Sequence, residues 1–436
     1  MPLNPYLEFF PDSTTISANK QLKIAGFSLI DLAEKFHTPV YVYDAMTFSN
    51  QISSLKSLLA IYYPGTAAIS YASKAYFSAS FAKILKRFDL GIDLTSLSEL
   101  SLAKEAGISP DLIHLNGNNK SLPELCEAVE WGIHSIVIDN LEEIDLLEEI
   151  CARAGKTVKV WLRITPDLPV ETHPYVETSN INSKFGLHIK NNHAQEGIHG
   201  VLQSKYLILT GLHTHLGSQI TSTCPYELAL ECLFEIAEKN SYTPLEICPG
   251  GGWGERYNPD DPYNDYAQWV RSVSDKVIRE AEKRNWPLPK LILEPGRSLI
   301  AKSGVALYKI GSQKDIPNGE HILSIDGGIS DNPRYSLYRA KYVAVNVTRI
   351  NDKVAVPGKI VGRFCETGDI LIDQVYLPKS YRDDILAIPV SGAYQLSMAS
   401  NYNLATRPTV LWLEKDHLQI MQNREFTHIA SWWTQP

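Results

Sequence analysis

The residues of this chain best suited to chemistry each stand just after a short β-type run. Lys74, in Ser73-Lys74-Ala75, follows Ala68-Ile69-Ser70-Tyr71, and Arg163 ends Val158-Lys159-Val160-Trp161-Leu162. His213-Thr214-His215-Leu216-Gly217-Ser218 closes a third run. Gly250-Gly251-Gly252 follows Leu245-Glu246-Ile247, and Glu294-Pro295-Gly296-Arg297 follows Leu291-Ile292-Leu293. Each has a plain reading: a solvated lysine, a turn of glycines, a glutamate paired with its own Arg297. Two histidines one residue apart would point to one side of a strand, as a metal site needs. No third histidine or carboxylate stands at an obvious ligand spacing, so no metal is expected. A glycine-rich loop entering a helix can cradle phosphate on its N–H groups. A cofactor with an aldehyde, a phosphate and a ring nitrogen would need all of these residues together.

The elements that must position them follow from the alternation of the chain. Eight β-type runs recur between residues 67 and 297; the remaining three are Gly91-Ile92-Asp93-Leu94, Leu112-Ile113-His114-Leu115 and Ser135-Ile136-Val137-Ile138. Helical spacing separates them, with Ile144, Leu147, Ile150 and Cys151 on one face of such a stretch. Eight β-then-α units predict a (β/α)8 TIM barrel, with functional groups on the loops after its strands; a doubly wound open sheet is the alternative. Beyond residue 300 runs such as Tyr342-Val343-Ala344-Val345 and Thr409-Val410-Leu411-Trp412-Leu413 predict a mainly β C-terminal domain. The strand Pro39-Val40-Tyr41-Val42-Tyr43 precedes the barrel and is placed at the domain junction. The expected division is 1–44 contributing to the β domain, 45–303 as the barrel and 304–436 as the C-terminal domain.

Composition narrows the classes. The 436 residues carry 41 Lys+Arg against 49 Asp+Glu, a net charge of −8, which argues against a nucleic-acid partner. No apolar run of membrane-spanning length and no secretory signal pattern occurs, so no membrane association is expected. Six cysteines without a C-x-x-C pair predict a reduced, cytoplasmic protein.

The set resembles the alanine-racemase-fold (fold type III) decarboxylases that use pyridoxal 5′-phosphate, and among them the branch acting on diaminopimelate. The matching segments run nearly the whole chain, from Thr38-Pro39-Val40-Tyr41-Val42-Tyr43-Asp44 to Asn401-Tyr402-Asn403. They include Tyr71-Ala72-Ser73-Lys74-Ala75, Ser183-Lys184-Phe185-Gly186, Cys365-Glu366-Thr367-Gly368-Asp369 and Ser391-Gly392-Ala393-Tyr394. The resemblance implies that Lys74 binds the cofactor aldehyde, His215 stacks on its ring with Ser218 beside it, and Glu294 meets its ring nitrogen. It implies Gly250, Gly251, Gly252 and the Tyr394 hydroxyl at the phosphate, with Asp93, Glu99 and Arg163 nearby. Cys365 would protonate the carbanion left by CO2, and with Glu366 would reach the site of a partner subunit, giving a homodimer with composite sites. Glu294 favours decarboxylation over racemisation, since alanine racemases place an arginine there.

Substrate choice rests on fewer positions. Arg297, Arg334 and Tyr338 match the family's substrate residues, with Tyr394 at the same site, and Glu366 would accept the distal ammonium. The implied reaction is meso-diaminopimelate to L-lysine and CO2. The alternatives are a relative acting on D-lysine, D-ornithine, or a carboxylated polyamine or siderophore precursor, and a catalytically silent regulator. The chain departs from the family pattern at Tyr335, where Pro is usual, at Arg339, where Gly is usual, at Tyr76, and at Leu404-Ala405.

Overall fold

The computed structural model describes residues 5–168, 182–317, 319–354 and 356–425. Among these described residues two compact units form, one within 52–254 and 264–296, the other within 5–51, 255–263 and 297–425. The loop 255–263 therefore groups with the β-rich unit, although it lies between two barrel strands in the chain.

The first unit is a closed barrel of eight parallel strands: β1 (Ala67–Ala72), β2 (Gly91–Leu94), β3 (Ile113–Leu115), β4 (Ser135–Ile138), β5 (Val158–Thr165), β6 (Leu207–His213), β7 (Glu246–Cys248) and β8 (Lys290–Leu293). Each pairs with the next, and β8 returns to β1 with Leu291 opposite Ala67. The open-sheet alternative is thereby excluded. Val137, Trp161, Cys248 and Ile292, from four of the strands, pack together as an interior layer with Ala68.

Local signals stop and start the helices that separate the strands. Ser78, Ser96 and Ser121 accept from the N–H three residues on, and Ser121 with Glu124 completes a capping box. The helix Glu142–Ala154 buries Ile144, Leu147, Ile150 and Cys151 and stops at Gly155 in the left-handed region.

The second unit is built on Gly304–Asp315, a 12-residue strand. Its first half pairs with Val40–Asp44 and with Ile385–Ile388, and beyond a bulge at Ile310–Ser312 it pairs with His321–Ile325. All five residues of Val40–Asp44 are buried, because the strand is flanked on its other edge by Thr409–Glu414. Val40, Val42, Val305, Leu307, Leu411 and Leu413 share one face and a core with the N-terminal helix Leu29–Phe36. On the opposite face the Tyr41 and Tyr308 hydroxyls reach Asp331, at 3.0 and 2.5 Å, and anchor the loop before Arg334.

Candidate active site

The barrel presents its polar groups just beyond the C-terminal ends of the strands. β1 runs into a single turn, Ser73–Ala75, that carries Lys74. The lysine is exposed, and its amine has no hydrogen-bond or ion-pair partner among the described residues. The turn after β8 packs against it: Ala72 N–H donates to the Pro295 carbonyl at 3.2 Å, and a Cβ on Gly296 would come within 3.1 Å of Ala72 and Ala75.

Glu294 is 5% exposed, and its Oε2 lies 2.8 Å from His213 Nε2. Burial alone would raise its pKa, but His213, His114 and Lys74 pull it down to about 2, so it stays ionised. Its other oxygen, Oε1, is buried with no hydrogen-bond partner among the described residues. Asp93 behaves oppositely. Burial and the Glu294 charge push it up to about 8, while Asn116 donates to its Oδ1 at 2.5 Å. Burial thus disfavours the charge on Asp93, while the groups around Glu294 favour its charge.

The glycine loop is shaped by what surrounds it. A Cβ on Gly251 would collide with the Glu294 carbonyl, one on Gly252 with the Gly217 carbonyl, and one on Gly250 would lie 2.6 Å from the Thr214 carbonyl. Gly250 and Gly252 also take positive φ values of 78° and 96°. The loop sits on His215, whose Nδ1 accepts from Gly251 N–H at 3.4 Å. Desolvation, reinforced by the charges of Lys74 and Arg163, holds His215 well below its usual value and hence neutral. Arg163 is buried over the Phe185 ring at 4.4 Å with Asp139 3.9 Å away. Ser218 lies partly exposed beyond β6. Glu99 instead turns back on its own helix and accepts from Thr95 N–H at 2.7 Å.

The histidine pair does not work as a strand pair. β6 ends at His213, so His215 leaves the strand alternation. His213 instead gathers with Cys248 and Glu294, their donor atoms within 4.8 Å of one another. The partners come from the ends of β6 and β7 and from just beyond β8, which no linear spacing reveals. Burial and the neighbouring Glu294 charge push the Cys248 thiol well above its usual value, so the protonated thiol stands as a donor beside Glu294. The trio acts as hydrogen-bonded support for Glu294.

The β-rich unit carries a second cluster. Arg334 and Arg297 are 4% and 6% exposed. Arg334 has no carboxylate partner among the described residues, and its Nε is buried without a hydrogen bond. The Arg297 guanidinium lies 4.7 Å from the Tyr394 ring, and that of Arg334 lies 5.7 Å from the Tyr338 ring. Tyr394 has φ 61°, a left-handed conformation costly for a non-glycine residue and common at functional positions.

Cys365 and Glu366 are exposed on a loop stapled to the segment before Arg334. Asp369 Oδ1 accepts from Ile329 N–H at 2.7 Å and its Oδ2 from Phe364 N–H at 2.8 Å. Ser336 Oγ donates to the Gly368 carbonyl at 2.6 Å.

Two departures from the family pattern prove to be partners. Arg339 caps the helix Arg334–Tyr338 at φ 53°, where glycine would be free of strain. Its N–H donates to the Tyr335 carbonyl at 2.8 Å, and its guanidinium lies 5.2 Å from the Tyr335 ring. The left-handed turn costs about 1 kcal/mol, and an exposed cation–π contact returns about 0.5–1 kcal/mol.

The barrel cluster fits pyridoxal 5′-phosphate on four counts: a free amine, a buried ionised carboxylate with one oxygen to spare, a glycine cradle and a neutral imidazole. Fold and site together define a barrel-type pyridoxal enzyme. Residues 47–301 match the family model of the pyridoxal-dependent decarboxylase, pyridoxal binding domain. The chain is 37% identical over 430 residues to the diaminopimelate decarboxylase of Bacillus methanolicus, covering 97% of this chain and 99% of that one. It is 39% identical over 408 residues to that of Bacillus subtilis, covering 93% of each. The crystal structure of the M. jannaschii diaminopimelate decarboxylase superposes with TM-score 0.89 at 29% identity over 98% of both chains. The chain belongs to the pyridoxal-dependent decarboxylases.

Three roles in these clusters have no counterpart in the sequence reading: His213 as support for Glu294, Tyr257 beside both arginines, and Asp369 between two loops. Asp369 stood in a quoted motif; Tyr257 is one of 22 tyrosines and carried no signal.

Proposed function

We propose that this chain decarboxylates meso-diaminopimelate, releasing CO2 and L-lysine, as a cytoplasmic homodimer. The observation that carries the substrate is the buried arginine pair. Diaminopimelate keeps a second amino-carboxylate centre through the reaction, and paired guanidiniums suit that carboxylate. Ornithine has no distal carboxylate to offer them. The crystal structure of the M. jannaschii relative in co-complex with L-lysine, at TM-score 0.88, supports the same product.

When bound, pyridoxal phosphate supplies an electron sink for the pair left on Cα as CO2 departs. Lys74 offers its amine to the cofactor aldehyde. Glu294, ionised and braced by His213, favours a protonated ring nitrogen through its free oxygen. His215, neutral, would offer its face to the ring, with Ser218, Arg163 and Asp93 around it. The N–H groups of Gly250, Gly251 and Gly252 and the Tyr394 hydroxyl hold the phosphate. Arg297, Arg334 and Tyr338 bind the distal carboxylate. Cys365 gives its thiol proton to Cα, and Glu366 accepts from the distal ammonium, both acting in the site of the second copy; their exposure in one chain supports this.

Among the described residues no helix is long and apolar enough to cross a membrane. The test is CO2 release by the cofactor-loaded protein from meso-diaminopimelate, L-lysine, D-lysine and ornithine. Turnover of meso-diaminopimelate with L-lysine as product is expected. Turnover of another compound in its place would overturn the substrate assignment.

A further inference from the structure

Tyr257 belongs to the loop 255–263, which leaves the barrel sequence and groups with the β-rich unit. It is 3% exposed. Its hydroxyl lies 2.5 Å from Arg297 Nη1 and accepts that hydrogen bond. The hydroxyl's own proton has no acceptor among the described residues. The ring centroid lies 5.8 Å from the Arg297 guanidinium carbon and 5.6 Å from that of Arg334. The ring's position is itself fixed: it packs edge-on against Tyr342 at 5.0 Å and 79°, and its backbone N–H donates to Asp261 at 2.7 Å.

Two buried guanidiniums that share the Tyr257 and Tyr394 rings carry like charge, and each could swing away from a shared target. A tyrosine bonded to one and beside the other holds both at a set separation and leaves one O–H donor for an incoming oxygen. We propose that Tyr257 is a specificity-determining positioning residue, which holds Arg297 and Arg334 as a single receptor for the carboxylate at the far end of the substrate. The inference deepens the substrate assignment above and rests on it. It separates the recognition of an amino acid tail from the recognition of a bare amine tail. L-Lysine carries that carboxylate, and 1,5-diaminopentane is the same chain without it.

The experiment compares inhibition of the cofactor-loaded enzyme by L-lysine and by 1,5-diaminopentane, in the wild type, Tyr257→Phe and Tyr257→Leu. Loss of a hydrogen bond to a charged group predicts that Tyr257→Phe raises the inhibition constant of L-lysine about tenfold. The KM for meso-diaminopimelate should rise in parallel with kcat little changed, while the constant for 1,5-diaminopentane stays at its wild-type value. Tyr257→Leu should widen the gap. Tyr257→Phe keeps the ring packed on Tyr342, so it carries the test even where Tyr257→Leu fails to fold. An unchanged ratio between the two inhibitors in Tyr257→Phe, or an equal weakening of both, would overturn the role of Tyr257 while leaving the substrate assignment standing. A wild-type enzyme that binds both inhibitors equally and does not turn over meso-diaminopimelate would overturn the assignment and this inference with it.

Discussion

Replacing Glu246 by glutamine should destabilise the barrel in a way that disappears in acid. Glu246 opens β7 at the end of the barrel away from the candidate site. It accepts from Trp161 Nε1 at 2.8 Å, lies 2.9 Å from His134 Nε2, and has Lys290 Nζ 3.6 Å away. Burial would raise its pKa, but these partners reverse that and lower it from 4.5 to about 2. The folded-state value lies below the unfolded one, so the stabilisation is complete above pH 4.5 and is lost as pH falls towards 2. At 1.36 kcal/mol per unit the shift corresponds to about 3 kcal/mol at neutral pH. Glutamine keeps one acceptor oxygen but turns an NH2 towards donors, so Glu246→Gln should lose most of it. Urea unfolding of the cofactor-free protein, followed by tryptophan fluorescence, should show a gap of about 3 kcal/mol near pH 7 that narrows steadily below pH 4.5. A gap that stays constant between neutral pH and pH 3, or no gap at neutrality, would refute the assignment of the stabilisation to the ionised carboxylate.

Three further outcomes are expected. Lys74→Ala should abolish the visible Schiff-base absorbance of the cofactor together with turnover, checked by spectrum and CO2 release; retained turnover contradicts the role. Cys365→Ala should suppress turnover while cofactor affinity and absorbance stay as in the wild type. Gly251→Ala should weaken cofactor binding, measured by fluorescence titration of the apoprotein, because its Cβ collides with the Glu294 carbonyl and the strand-end loop must shift.

The parts of the molecule that repeat a local rule were readable in advance. All eight barrel runs fall on observed strands, because buried parallel strands leave short apolar runs and several of the helices between them carry their own serine cap or glycine stop. Lys74, the glycine triplet and Glu294 stood out since each follows such a run. His213 was visible as one of a histidine pair but its role was not, because its partner Glu294 is 81 positions away, just beyond β8, and only barrel closure joins them. Tyr257 was silent for the same reason: its loop has no strand or helix pattern, and its arginine neighbours lie 40 and 77 positions on. The grouping of 255–263 with the β-rich unit likewise depends on contacts that no window of sequence contains.

The contact between Tyr335 and Arg339 bears on how this chain and its relatives could interconvert. Proline with glycine is one self-consistent way to close the helix that carries Arg334, and tyrosine with arginine is another. A chain that changed only one of the two would keep a left-handed arginine without its ring, or a ring without its cation. Only the arginine without its ring is costly, by about 1 kcal/mol of left-handed strain that nothing offsets; tyrosine with glycine is no worse than either pair. The easy route from one pair to the other therefore brings in the tyrosine first. A relative carrying Arg at the second position should carry Tyr, and not Pro, four residues earlier.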